Sequence, residues 1–290
     1  MTKSRLTNDP APWIRNQIEA FVASGENSLM NQENDPAWGK PLVGFSRGDD
    51  PIYVRFKEDI GAFYLTPYEI FTKTFPALKV TADELTVISW VLPHAEQTKK
   101  GLRKETRLPS ERWARARKYG EEVNIKLRTH LVAKLAEAGY EAVAPLLSAL
   151  WESKTSDRYG LSSTWSERHA AYASGLGTFG LCDGLITPVG KAMRVGSVVA
   201  RISVPATQRP YTDHHAYCLY FSKGVCGKCV ERCPAGAVSR EKGHDKVKCR
   251  AYVDETKGYV ISQFGFEAYA CGFCQVGVPC ESGIPVKDSG

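Results

Sequence analysis

Eight of the nine cysteines in this 290-residue chain lie beyond residue 217, in two interlocking groups. The first reads Cys218-x7-Cys226-x2-Cys229-x3-Cys233-Pro234. The second is Cys249, followed by Cys271-x2-Cys274-x5-Cys280. A region this short and this rich in thiols has little apolar core of its own, so its folding is expected to depend on what the thiols hold. Two cubane clusters take eight thiolates. In the run C-x2-C-x3-C-P, the cysteine before proline ligates the other cluster of the pair. The spacing predicts two [4Fe–4S] clusters and single-electron transfer at low potential. Paired C-x2-C units also suit tetrahedral zinc, but zinc does not require the crossing C-x3-C-P.

The crossing allots the ligands. Cluster I takes Cys218, Cys226 and Cys229 with the distant Cys280. Cluster II takes Cys249, Cys271 and Cys274 with the crossing Cys233, and Pro234 turns the chain after it. The seven-residue gap after Cys218 and the five-residue gap before Cys280 both fall on cluster I. Its surroundings are expected to be remodelled.

Hydrophobic content of 43% and charged content of 24% are ordinary for a globular protein. No apolar run approaches the ~20 residues of a membrane span. Residues 1–10 carry neither an apolar signal region nor a twin-arginine pair, which gives a cytoplasmic expectation. Thiolate-rich cluster sites also fit a reducing compartment. The net charge of +6 is uneven: twelve Lys and Arg face four Glu between Lys99 and Lys134. That stretch is either a solvated helix face or an electropositive rim for an anionic substrate, a cofactor phosphate or an acidic redox partner.

Ile14, Ile18, Phe21 and Val22 share one helical face. Residues 85–92, LTVISWVL, read as a buried strand closed by Pro93. A long helix is predicted over 111–138 from Val123, Leu127, Leu131, Leu135 and Ala138, with Gly139 as its stop. Tyr140–Leu147 reads as a strand. Thr164 and Glu167 form a candidate capping box for a helix through Ala173. Gly184–Thr187 and Val195–Val204 read as an antiparallel pair joined around Pro188 and Gly190.

Gly175, Gly177, Gly180 and Gly184 strip side chains from a helix-to-strand passage, as a flat cofactor or a crowded turn would need. The order is the reverse of a dinucleotide-binding fingerprint. The string Ala170-Ala171-x-x-Ser174-Gly175-Leu176-Gly177-x-x-Gly180-x-x-x-Gly184-Leu185-Ile186-Thr187-Pro188-x-Gly190-x-x-x-Arg194, followed by the eight-cysteine module, resembles the corrinoid-dependent reductases. These include the reductive dehalogenases and the epoxyqueuosine reductases. The likeness runs roughly from Lys79 to Cys280. It implies an α+β fold: a nitroreductase-like mixed-sheet domain over 1–209, then a bacterial ferredoxin-like module with two [4Fe–4S] clusters over 210–290. It also implies a cobalamin, base-off because no Asp-x-His-x-x-Gly sequence supplies a lower histidine. Gly175, Gly177, Gly180, Cys182, Gly184, Leu185, Ile186, Thr187 and Pro188 would line it. The clusters would feed the corrinoid electrons for reductive removal of a halide or C–O leaving group. Cluster II would be the entry point and cluster I the one nearer cobalt.

The chain departs from that pattern in two places. Where epoxyqueuosine reductases carry an Arg-Asp-Tyr-His-like element, it has Arg117-Lys118-Tyr119-Gly120. It also runs only ten residues past Cys280. Both are expected to turn the substrate away from epoxyqueuosine, leaving a small molecule or another modified nucleoside. Reductive cleavage needs a proton donor. Tyr119 and Lys118 are the candidates, with Tyr172 behind them; Tyr119 is otherwise an amphipathic helix residue. Cys182 is either a small buried hydrophobe or a cofactor-facing group. His169 and the His214–His215 pair are undecided between structure and site. The partner expected is an external low-potential donor such as ferredoxin or flavodoxin, with no membrane. Direct nucleic-acid binding has little support, because the excess charge is local and no reading module is evident. Two rival readings remain: an electron carrier or reductive activator without a corrinoid, and a flavin-binding relative.

Overall fold

The computed structural model describes residues 9–285. In chain order come α1 (Ala11–Val22), β1 (Leu42–Arg47), α2 (Ile52–Ile60), α3 (Pro67–Thr74), β2 (Thr86–Pro93), α4 (Glu96–Arg103), α5 (Glu111–Glu137) and β3 (Ala142–Val143). A hairpin of β4 (Ser153–Ser156) and β5 (Gly160–Ser163) precedes α6 (Glu167–Ala173), β6 (Thr178–Phe179), β7 (Leu185–Ile186) and β8 (Met193–Ala200). The cysteine-rich part adds α7 (Leu219–Lys223), α8 (Lys228–Glu231), β9 (Val238–Ser239), β10 (Gly243–His244) and α9 (Lys246–Phe264). The chain is of mixed α and β structure.

The apolar run at 85–92 is buried because it lies inside a four-stranded sheet of order β1-β2-β8-β3. All three pairings are antiparallel. Strand side chains alternate between faces. Ile88, Trp90 and Leu92 therefore pack with Ile14 and Ile18 of α1 and with Val123, Leu127, Leu131 and Leu135 of α5. Val87 and Val91 turn the other way, onto Phe56 of α2, Phe71 of α3 and Ala170 of α6. Helices cover both faces, so β2 shows no polar alternation.

Helix α5 is pinned to the sheet by a buried polar relay. The Trp90 indole donates to Asn124 Oδ1 at 2.9 Å, and the Asn124 amide donates to the Val195 carbonyl at 3.0 Å. Gly196 stands opposite Trp90 in the register. A Cβ at Gly196 would lie 2.5 Å from the indole ring, so the strand must be bare there.

Several sequence expectations are corrected. The pair proposed between residues 184–187 and 195–204 does not form. Strand β7 pairs with β6, and β8 pairs with β2 and β3. The long β8 satisfies its ladder against the equally long β2, which a two-residue strand cannot match. The stretch 140–147 holds only the two residues of β3 and a short 3-10 turn at Pro145–Leu147, because Pro145 ends the pairing. Helix α6 is capped by Ser166, not Thr164. The Thr164 hydroxyl instead donates to Leu150 O and accepts from Glu152 N. Of the twelve basic residues in the stretch 99–134, two are spent inside the protein and the others stay exposed or half-buried. Arg128 is 1% exposed and meets Glu121 and Glu167. Lys99 binds Ser282 and Glu96.

The cysteine-rich part is stitched back onto the sheet. Lys191 N and Ala192 N, just ahead of β8, donate to Cys280 O at 2.8 Å and Glu281 O at 3.1 Å. The buried Glu281 carboxylate takes Arg103 of α4 and the Gly277 N–H. Gly190 is obligatory at this crossing. Its φ is +89°, and a Cβ would lie 2.1 Å from Glu281 O.

Candidate functional site

The eight cysteines gather into two adjacent groups. Cys218, Cys226, Cys229 and Cys280 line one small cavity with Leu181, Ile186 and Lys191. They are the four allotted to cluster I. Cys218 lies at the start of α7 and Cys229 in α8, while Cys280 is returned by the Glu281 anchor. The second group centres on Cys271, whose thiol is pushed up to about 11 by burial, with Cys249 and Cys233 adding to the shift. Cys274 also neighbours Cys271. Cys249 is presented by the first turn of α9, which Asp245 caps. The Ala237 N–H donates to Cys233 Sγ at 3.3 Å. Among the described residues, no three His, Cys, Asp or Glu side chains stand close enough to share one metal ion. Tetrahedral zinc needs its ligands around a single point. A cubane takes thiolates around a larger body, and the four thiols that line the first cavity have the donor chemistry for one.

Cys182 sits where the two groups meet. Its thiol lies 3.9 Å from the Cys274 carbonyl, and the neighbouring Cys229 and Cys274 thiols hold its own pKa well below the usual thiol value. The Lys191 ammonium lies 3.2 Å from Cys182 Sγ. Lys191 is only 2% exposed. Burial opposes its charge, yet the surrounding Cys182, Cys280, Cys274 and Cys229 hold it protonated. On the other flank His244 contacts Asp183 at 3.1 Å. Burial works against its charge as well, but hydrogen bonds to Asp183 and Cys249 push it up to about 9.

The residues expected to line a corrinoid are turned to other work. A Cβ at Gly177 would lie 2.2 Å from Ile186 O, and one at Gly184 would lie 2.8 Å from the Lys191 side chain. At Gly175 it would meet Gln208 O, and at Gly180 the Ile186 side chain. Leu185, Ile186 and Thr187 are buried, and Cys182 serves the thiol junction; Pro188 alone of this segment is exposed. The glycines let protein backbones cross. In this structure the segment does not fit a macrocycle, and no step is derived through one.

Tyr119 and Lys118 lie together but line neither the cavity of the first cysteine group nor the one beside Cys271. Tyr119 packs on Phe266, and the Lys118 ammonium lies over the Tyr119 ring. Tyr172 belongs to an aromatic core with Phe56, Phe179 and Tyr211. His169 is half-buried beside Phe56 and bonds Ser166. His215 bonds Phe179 O.

The helix face that does meet a cavity is one step round α5, at Trp113 and Arg117. With His94, Arg194, Val253, Tyr269, Cys271 and Gln275 they line a cavity of about 150 Å³. Such a space is well below the ~300–1,000 Å³ of ordinary ligand pockets. Arg194 could be noticed in sequence as the last residue of the glycine-rich string. The others come from four separate segments, and no local pattern joins them.

No family model matches the chain. Curated relatives do. A Bacillus anthracis epoxyqueuosine reductase is 30% identical over 124 residues, covering 41% of this chain and 30% of its own. A Staphylococcus aureus epoxyqueuosine reductase is 31% identical over 149 residues, covering 48% of this chain and 37% of its own. The matched stretch is thus about a third of those proteins' length. The solved structure of epoxyqueuosine reductase from Streptococcus thermophilus shares the fold, with a TM-score of 0.50 at 15% identity, covering 93% of this chain and 66% of that one. The family resembled by the sequence is the one these relatives carry in their names. Among the described residues no helix is long and apolar enough to cross a membrane.

Proposed function

We propose that this chain is an oxidoreductase that carries two [4Fe–4S] clusters, on Cys218, Cys226, Cys229 and Cys280 and on Cys233, Cys249, Cys271 and Cys274. The observation that carries this reading is the gathering of Cys218, Cys226, Cys229 and Cys280 around one cavity, from three separate segments of chain. When bound, the clusters supply single electrons at low potential. The protein's own part is to space the two groups through Cys182, to hold the Lys191 charge between them and to exclude water. The similarity to epoxyqueuosine reductases supports a reductive reaction on a small molecule or a modified nucleoside, with an external donor such as ferredoxin or flavodoxin.

The corrinoid implied by the resemblance is the finer part of that reading, and the packed glycine segment weighs against it. The same packing favours a second reading, in which the clusters serve a partner protein. The deciding experiment is iron, sulfide and cobalt analysis of anaerobically purified protein, with and without added cobalamin. We expect about eight iron per chain and no stoichiometric cobalt. Fewer than four iron overturns the two-cluster assignment. Stoichiometric cobalt overturns the case against the corrinoid.

A further inference from the structure

Two residues that line the cavity beside Cys271 carry a buried polar atom with no hydrogen-bond partner among the described residues: His94 at Nδ1 and Arg194 at Nε. His94 is 6% exposed. Burial, then the Arg194 and Lys99 charges, push its pKa well down, so it is a neutral ring. Buried polar groups normally find partners, so both of these lining residues have hydrogen-bonding capacity to spare.

The charges facing that space define the guest. Arg117 of α5 and Arg194 of β8 both line it. Among the described residues Arg117 has no carboxylate partner; its guanidinium donates to the Tyr269 hydroxyl at 2.7 Å and stacks on that ring. Arg194 Nε is ion-paired with Glu121 at 3.6 Å, too long for a hydrogen bond, and Glu121 is shared with Arg128. Burial and the Arg117 charge bring Arg194 down to about 10. The two arginines repel, and an anion between them would relieve both. Gln275 and the Tyr269 hydroxyl add neutral polar groups, and the tilted rings of His94 and Trp113, with centroids 4.2 Å apart, form a flat wall. The cavity, about 150 Å³, has room for a small guest.

We infer that this cavity binds a small carboxylate, gripped by the planar guanidinium groups of Arg117 and Arg194. A carboxylate suits that fork geometry, and the volume admits only a short chain on it. Because Cys271 lines the same space, the bound acid lies against the second cysteine group. Its standing as a substrate rests on the two-cluster reading; its binding does not.

The test is calorimetric titration of the anaerobically purified protein with acetate and propionate, using acetamide as the uncharged match. We expect saturable binding of one carboxylate per chain, at least tenfold weaker binding of acetamide, and at least tenfold loss of acetate affinity in Arg117→Gln. Arg194→Lys, which keeps the charge but not the fork, should weaken acetate less than Arg117→Gln. Equal affinity for acetate and acetamide, no saturation with either, or unchanged affinity in both variants overturns the inference. Iron content of each sample reads the cluster assignment separately. Acetate binding by iron-poor protein would uphold the pocket and overturn only the redox context.

Discussion

At the scale of single residues, Cys182 and Lys191 separate ligation from tuning. Cys182 is the ninth thiol, buried at the junction of the two groups, and nothing in the spacing of the other eight needs it. Cys182→Ala should keep about eight iron per chain, whereas Cys249→Ala should lose about four, as read by iron analysis and electron paramagnetic resonance. Loss of a whole cluster in Cys182→Ala would mean that the ligand allotment is wrong. Lys191 places a buried cation among the thiolates. A positive charge favours the reduced cluster, so Lys191→Met should lower a midpoint potential by on the order of 100 mV, taking one charge at an effective dielectric of about 20. A potentiometric titration with no shift would leave Lys191 a packing residue. The cysteine grouping could be read from spacing, because each thiolate announces itself. Arg194 and His94 could not be paired that way, because His94 follows the end of β2 and Arg194 lies near the start of β8, about a hundred residues further along the chain.

At the scale of elements, α5 carries two different contacts on one helix. Its middle is fastened to β8 by the Trp90–Asn124–Val195 relay, and its N-terminal turns present Trp113 and Arg117 to the cavity. Asn124→Ala leaves the Trp90 indole N–H buried without its partner, while the Val195 carbonyl keeps Arg128 Nη2 at 3.2 Å. It should cost about 1–3 kcal/mol, read as a lower denaturation midpoint without loss of iron. A neutral result would show that solvent reaches the relay. The apolar period of α5 was legible in Val123, Leu127, Leu131 and Leu135, since burial on one face imposes it. The inward turn of Arg117, and not of Lys118 and Tyr119, was hidden. Neighbouring residues differ by about 100° around a helix, and only the position of Tyr269 shows which one is used. The supposed hairpin around Pro188 failed for a related reason. Strand pairing is decided by the partner available in space, and β2 outcompetes β7.

At the scale of the whole molecule, the end of the cysteine-rich part is locked to the sheet through Glu281, Cys280 and Gly190. Glu281→Gln weakens the tie to Arg103. It should cost about 1–2 kcal/mol, because Arg103 is partly exposed and keeps Glu96. Cys280 belongs to the same turn, so that variant should also lose iron faster under a chelator, followed by absorbance. Chelation of the wild-type protein should deprotect backbone amides from about 215 to 285 first, with the sheet of β1, β2, β8 and β3 opening later, as hydrogen exchange would show. Simultaneous loss of both would mean that the two parts fold as one unit.

The sequence by itself determined the eight-thiol set, its division by the crossing Cys233, the buried central strand and the long helix. Each is written in local spacing, and thiolate chemistry or one-sided burial enforces it. Only the tertiary structure decided which face of α5 meets the cavity, what the glycines are for and where the two arginines converge. Those outcomes depend on backbones and side chains brought together from segments far apart in the chain, and no local period records such meetings.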